Sequence, residues 1–357
     1  MKKLKNIAFI MLVVATVVIV GCCSLYNYMV SPVSKKDIQV EVEIPEKTSS
    51  IKIASILKEK NLIRSEKIFL LYLKIFNIHD LKAGYYDLSQ NMGVKQLVAS
   101  LRQGSTKNPY EIEITFQEGL NMRNIATIIS EHTNNSYNSV IEKSNDIDYI
   151  NQLIEKYWFI TEEIKQDGIY YKLEGYLFPE TYRFDNKDVS VEEIFNRMIA
   201  EMATVLEPHK KEIQKSSLSI HQILTLASMV EEEATTDREL VASVFMNRIK
   251  VGMSLGSDVT TRYAFQVDNP KQVLTKTQYN TPNPYNTRVI DGSMDGKLPI
   301  GPICTLSESS IEVSIHPAQT DYLYFIANIQ TLETFFYNNA SDFEKKKNEL
   351  KSVNGGF

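Results

Sequence analysis

The first 23 residues, MKKLKNIAFIMLVVATVVIVGCC, constrain this chain more than any other stretch. Residues 7–23 carry no charge and are mostly apolar over 17 positions, and apolar character continues patchily to Val30. A helix needs about 20 such residues (range ~17–25) to cross a bilayer core, so the stretch sits at the lower limit for a span. Lys2, Lys3 and Lys5 precede it, and basic residues beside a span stay on the cytoplasmic side. The expectation is a single-pass inner-membrane helix over 1–30 with the remainder outside the cytoplasm. An uncleaved signal anchor is the reading adopted. The alternative is a lipid anchor, because VIVGC resembles a lipoprotein box with Cys22 as the lipidated residue.

Cysteine usage fits an exported chain. Cys22 and Cys23 lie in the apolar segment, which leaves Cys304 without a partner for a disulfide or a cysteine metal site. The five histidines form no HxxxH or HExxH pattern, so no metal and no other cofactor is expected. A formal net charge of -5, with no basic block beyond the extreme N-terminus, excludes nucleic acid as a partner. With 43% hydrophobic and 23% charged residues, 357 positions suffice for two or three folded domains.

Residues 31–43 read as a polar linker. A repeated theme follows: IPEKTSSIKIASILKEKNLI from Ile44 and FQEGLNMRNIATIISEH from Phe116 align without a gap at an offset of 72. Glu46 matches Glu118, Ile53 matches Ile125, Ala54 matches Ala126 and Ile56 matches Ile128. Each copy predicts a strand end, a tight turn and a short helix with apolar residues at i, i+3 and i+4. A looser copy, LSQNMGVKQLVASLRQG, begins at Leu88. Such units resemble LysM-type glycan-binding modules, although any α/β domain can reuse them. The expected fold class is α+β: a membrane helix, a LysM-like α/β module over 44–110, then a mixed α+β domain over 111–357. That domain starts with the second repeat-like unit and has a helical core carrying the acidic residue discussed next.

Two helices are predicted beyond residue 218. SIHQ offers a capping box of Ser219 with Gln222, and TDRE offers another of Thr236 with Glu239, the second helix ending near Gly252. DYLYFIAN and ETFFYN read as a hairpin, followed by a charged helix from about Ser341. The first helix ends in three adjacent glutamates, Glu231, Glu232 and Glu233. On a wheel at 100° per residue, Ile220, Ile223, Ala227, Val230 and Ala234 share one face. Glu232 points away from it toward solvent. Glu231 and Glu233 fall at its two borders, where desolvation and a neighbouring like charge raise a carboxyl's pKa. A glutamic acid kept protonated near neutrality can act as a general acid on a glycosidic oxygen. The plainer reading of the run is a solvated helix end, and the wheel does not choose between Glu231 and Glu233.

The string ASMVEEEATTDRELVASVFMNRIKVGMSLGSDVTTRYA is more specific. It resembles the signature of the YceG-like endolytic murein transglycosylases (the MltG family), which reads ASIVEKET, then VASVFxNRL, then L-Q-S/T-D-P-T. LKAGYYDL, FQEGLNMRNIA, LEGYLFPETYRF, NPYNTRV, GPIC and TDYLYFIAN resemble further family stretches in the same order, from the membrane segment to about residue 345. Departures are Ala234 for Thr, Val259 for Pro and Ile300 for Pro, while His316 stands where relatives carry Asn or His.

The resemblance implies that Glu233 is the catalytic acid and base, with Glu232 replacing the family's lysine. It implies an endolytic lytic transglycosylase that cleaves the MurNAc–GlcNAc β-1,4 bond and leaves 1,6-anhydro-MurNAc ends, terminating nascent glycan strands. A water-using muramidase and a non-catalytic, membrane-tethered peptidoglycan-binding protein are the alternatives. Peptidoglycan glycan strands are the expected partner, with cell-wall synthases at the membrane as further partners. Within the matched stretches, Tyr176, Glu180, Asp258, Tyr285 and Asn286 are the substrate-binding candidates: tyrosine offers a stacking face and a hydroxyl, asparagine both a donor and an acceptor. His316 and most of VASVFMNRI read as structural, with Asn247 or Arg248 able to face a cleft.

Overall fold

The computed structural model describes residues 2–105, 108–269 and 271–353, and divides into two compact units, Met1–Glu111 and Ile112–Phe357. Both mix helices with short antiparallel strand pairs, so the chain is α+β.

The first unit begins with α1 (Lys2–Val30), of which Phe9–Val30 is long and apolar enough to cross a membrane and has no buried residue, although Val30 at its end packs against the core of this unit. The side chains of Lys2, Lys3 and Lys5, on which the expected orientation rests, lie outside the described residues. β1 (Gln39–Ile44), α2 (Ser50–Glu59), α3 (Glu66–Ile75), β2 (Gly84–Ser89) and α4 (Val94–Gln103) follow. β1 therefore starts inside the stretch read as linker. Its QVEVEI alternation explains why: Val42 and Ile44 are buried while Glu41 and Glu43 face out. β1 and β2 pair antiparallel with Val42 opposite Tyr86. Ser49 and Ser65 cap α2 and α3 through their hydroxyls. Ile53, Ala54, Leu57, Phe69, Leu97 and Leu101 complete the core between strands and helices.

The second unit opens with β3 (Ile112–Thr115), α5 (Met122–His132), α6 (Tyr137–Ser144) and α7 (Ile147–Lys156). β4 (Thr181–Phe184), α8 (Val191–Leu206), α9 (Lys210–Ile213), α10 (Ile220–Glu233) and α11 (Arg238–Val251) come next. The chain then forms α12 (Asp258–Ala264), α13 (Lys276–Asn280), α14 (Glu308–Ile315), β5 (Tyr324–Ala327), β6 (Thr334–Tyr337) and α15 (Ala340–Leu350). β3 pairs with β4, and β5 with β6, both antiparallel. The strand–turn–helix reading at Phe116 is met by β3 and α5, with Ile125 and Ala126 buried as Ile53 and Ala54 are in the first unit.

α10 is the central element. Ser219 and Gln222 form the capping box at its start. Every residue from Ile220 to Val230 except Gln222 is buried, so the helix has no wet face until its last turn. Ile223, Leu224 and Ala227 pack into one core with Phe159, Phe195 and Leu306. Leu226, Met229 and Val230 pack into another with Val241 and Phe245 of α11. The wheel assumed one buried stripe, but tertiary packing surrounds this helix on both sides.

α11 departs from expectation at its start. The Thr236–Glu239 capping box does not form: the helix begins at Arg238, its N-cap is Asp237 in a left-handed conformation, and no side chain caps it. Its end follows the sequence, with Gly252 left-handed at φ 67°.

Gly175, in LEGYLF, sits at φ +76°, and a Cβ built there would lie 2.3 Å from the Pro302 Cβ. Gly175→Ala combines a disfavoured backbone with overpacking, and is expected to destabilise the protein by about 2–4 kcal/mol. The check is the urea midpoint of unfolding, and a change below about 0.5 kcal/mol contradicts the contact.

Candidate active site

The last turn of α10 sets three carboxylates side by side at the negative end of a helix with no basic residue in that turn. They meet three different environments.

Glu231 is locked. Its side chain is 5% exposed and pairs with Arg238 at 2.7 Å. The Ser307 N–H donates to it at 2.9 Å, the Ser310 hydroxyl at 2.6 Å, and the Ser307 hydroxyl also donates. Ser307 caps α14, so the positive end of that helix faces the carboxylate.

Glu232 is exposed, as the wheel predicts. Protein atoms crowd it on one side, where a Cβ on Gly119 would come within 2.8 Å of its Oε1. That crowding, with Glu231 and Glu233 adding repulsion, pushes its carboxyl up to about 7. It borders a small cleft with Asn121, Arg123, Val259 and Arg262.

Glu233 faces a different space. It lines a groove of about 720 Å³ with Arg248 of α11, Ser257, Asp258, Tyr279, Arg288 and Tyr324 of β5 among its walls. The Ser257 hydroxyl donates to its Oε1 at 2.5 Å. Burial raises its carboxyl pKa above the ordinary value, and the Asp258 charge adds to this. The Ser257 bond and the positive charges of Arg288 and Arg248 pull the other way. Among the described residues no cation pairs with Glu233 directly: Arg288 is held by Asp258 at 2.7 Å, and Arg248 donates to the Leu323 and Leu255 carbonyls, each at 2.7 Å.

Of the substrate-binding candidates, Asp258 shares the groove with Glu233. It is the first residue of α12, whose N-cap is Ser257. The other four do not line the groove. Tyr176 is fully buried, its hydroxyl 2.7 Å from His221 Nδ1 and its ring stacked on Phe159 and His221. Its aromatic face is used by the core and is closed to a sugar. Tyr285 is also fully buried, packed on Tyr170 and Tyr263. Asn286 is buried, and its amide donates to the carbonyls of Gln278, Tyr279 and Thr281 while its oxygen accepts from Thr261. It shapes the loop that carries Tyr279 and Arg288 to the groove, with no atom left for a ligand. Glu180 is exposed elsewhere, its carboxylate accepting from the Thr181 N–H.

Ser257, Tyr279, Arg288 and Tyr324 were not singled out from sequence. Ser257 and Arg288 had a signal in hand, since each lies one or two residues from a candidate, Asp258 and Asn286. Of the family departures, Ala234 is packed in the α10–α11 core, the Ile300 carbonyl bonds His221 Nε2 at 2.8 Å, and Val259 lines the small cleft beside Glu232.

The chain matches the model of the YceG-like family over residues 42–349. This chain belongs to the YceG-like family. It is 38% identical over 339 residues to a Bacillus subtilis protein named endolytic murein transglycosylase, covering 94% of this chain and 91% of that one. It is 32% identical over 323 residues to the protein of the same name from Streptococcus pneumoniae serotype 2, covering 86% of this chain and 57% of that relative, so it spans little more than half the latter's length. A crystal structure of a yceG-like protein from Listeria monocytogenes matches with a TM-score of 0.61 at 33% identity, covering 87% of this chain and 100% of that one. The region matched to the YceG-like family contains α10, the groove and all three glutamates.

The three environments predict opposite costs. Glu231→Ala takes the carboxylate partner from the Arg238 guanidinium, 20% exposed, and the acceptor from Ser307 and Ser310, and should destabilise the protein by about 3 kcal/mol. Glu233→Gln removes a carboxylate that burial disfavours, and should leave stability within about 1 kcal/mol of wild type. Paired urea titrations check the ordering, which fails if the two substitutions cost the same.

Proposed function

We propose that this protein is a membrane-anchored endolytic lytic transglycosylase of peptidoglycan. The observation that carries the reading is Glu233: a carboxyl raised by burial, hydrogen-bonded by Ser257, without a directly paired cation among the described residues, and open to a groove large enough for sugar rings. The endolytic murein transglycosylases it resembles supply the substrate class.

In the proposed reaction Glu233, protonated at the start, gives its proton to the O4 leaving oxygen as the C1–O4 bond of MurNAc breaks. The C6 hydroxyl oxygen then bonds to C1, and its proton returns to Glu233. One bond breaks, one forms, no water is consumed, and the product carries a 1,6-anhydro ring. A single carboxyl serves both steps, so the paired carboxylates of ordinary glycosidases are not required. Ser257 positions the carboxyl. Burial and the Ser257 bond chiefly set its proton affinity, Asp258 and the two arginines adjust it, and Tyr279 and Tyr324 offer the groove aromatic walls.

α1 is proposed as a single-pass anchor with the second unit outside the cytoplasm, a lipid anchor through Cys22 being the other form of attachment. An enzyme tethered beside the bilayer meets newly made strands first, which favours strand termination and proximity to cell-wall synthases. For the first unit we propose a LysM-like glycan-holding role. A hollow of about 170 Å³ over β1 and β2 supports it, with Tyr85 and Tyr110 edge to face on its wall. A purely binding protein is the second reading, and it differs at position 233.

Incubated with peptidoglycan, the wild-type protein should release 1,6-anhydromuropeptides detectable by mass. Glu233→Gln should reduce that product by at least about 10²-fold. Reducing-end products would establish a muramidase instead, and unchanged function in Glu233→Gln would establish the binding protein. Because the acid must be protonated and its pKa is raised, kcat/KM should fall as pH rises through a value above 4.5, not below it.

A further inference from the structure

His209, Glu212 and His316 converge on the surface of the second unit, and none of them lines the groove. His209 ends the 3-10 turn that follows α8, Glu212 lies on α9, and His316 is the C-cap of α14. Glu212 Oε2 is 3.1 Å from His316 Nε2 and 3.6 Å from His209 Nδ1, and the three atoms all lie within 4.8 Å of one another. Zinc holds imidazole nitrogen and carboxylate oxygen at about 2.0–2.2 Å, which puts tetrahedral ligand atoms about 3.3 Å apart. The two carboxylate–imidazole edges are thus close to the edge of a zinc tetrahedron, and the imidazole–imidazole edge lies within 4.8 Å. Lys210, beside them, does not compete for the carboxylate, because it pairs with Glu207 at 3.6 Å.

We propose that His209, Glu212 and His316 form a binding site for a divalent zinc-class cation, with water as the fourth ligand. Two imidazoles and one carboxylate favour zinc over calcium or magnesium, which prefer all-oxygen shells. Glu212 and His316 are about half exposed, which leaves the fourth position open to solvent. A bound cation would tie the connection before α10 to the end of α14. The start of α14 holds Glu231 through Ser307 and Ser310, so the cation would clamp the far end of the helix that braces the three-glutamate turn. The site stands on its own geometry and does not depend on the reaction proposed for the groove.

The test uses the full-length chain in detergent, without a histidine tag. Co²⁺ titration followed by visible d–d absorption, and Zn²⁺ titration by calorimetry, should each give one site per chain. Saturating Zn²⁺ should raise Tm by a few degrees. His316→Ala and Glu212→Gln should each weaken Zn²⁺ binding by at least about tenfold, while His79→Ala, distant in sequence and bonded to Asn77, should not. Circular dichroism checks that each variant is folded. Absence of saturable binding, or equal affinity in wild type, His316→Ala and Glu212→Gln, overturns the site. Both outcomes are independent of whether anhydro products form.

Discussion

Three adjacent carboxylates at the negative end of a buried helix should not be stable, and the second unit is arranged around making them so. The helix dipole and mutual repulsion both act against Glu231, Glu232 and Glu233. Glu231 is paired with Arg238 and with the N-terminus of α14, so one carboxylate is held in place inside the fold. Glu232 keeps contact with water. Glu233 has neither a full partner nor open solvent, only the Ser257 hydroxyl and two arginines already engaged elsewhere. The ion pair and hydrogen bonds at Glu231 anchor the turn, and the anchored turn is what aims Glu233.

That division of labour bears on the proposed function through preorganisation. A proton carrier must stay in place while it gives up its proton and takes another back. α10 is packed on both sides by two cores, so Glu233 projects from a rigid element and not from a loop. The opposite wall is less regular but is sewn together. Thr287 bonds Ser257 and Gly256 to its own segment, and Asn286 gathers three carbonyls behind Tyr279. The buried polar residues of NPYNTRV thus build the groove wall from behind.

Local signals were legible where they depend on few residues. The apolar run of α1, the Ser219–Gln222 box, the β5–β6 hairpin and each strand–turn–helix unit of the repeat follow from patterns within one short contiguous stretch. What sequence could not carry was tertiary surroundings. A wheel knows nothing of a second core, so α10 read as two-faced. Tyr176 and Tyr285 have the chemistry of sugar-binding residues, yet their rings pack against residues from distant segments, and Asn286 spends its amide on carbonyls of its own loop. Ser257 lies 24 residues from Glu233, and His316 lies 104 from Glu212, separations at which no motif speaks. The Thr236 capping box failed for a local reason, since the chain turns left-handed at Asp237 before α11 begins.

The central physical claim is that Glu233 holds its proton more tightly than an ordinary glutamate. The direct measurement is a carboxyl titration by isotope-edited infrared or NMR on glutamate-labelled protein, with the Glu233 signal assigned by its loss in Glu233→Gln. The account predicts titration above the ordinary value of 4.5, moving higher still in Ser257→Ala, where the bond that favours the anion is gone. Titration at or below 4.5 would contradict it, because a carboxyl that ionises so readily has no proton to give a glycosidic oxygen near neutral pH.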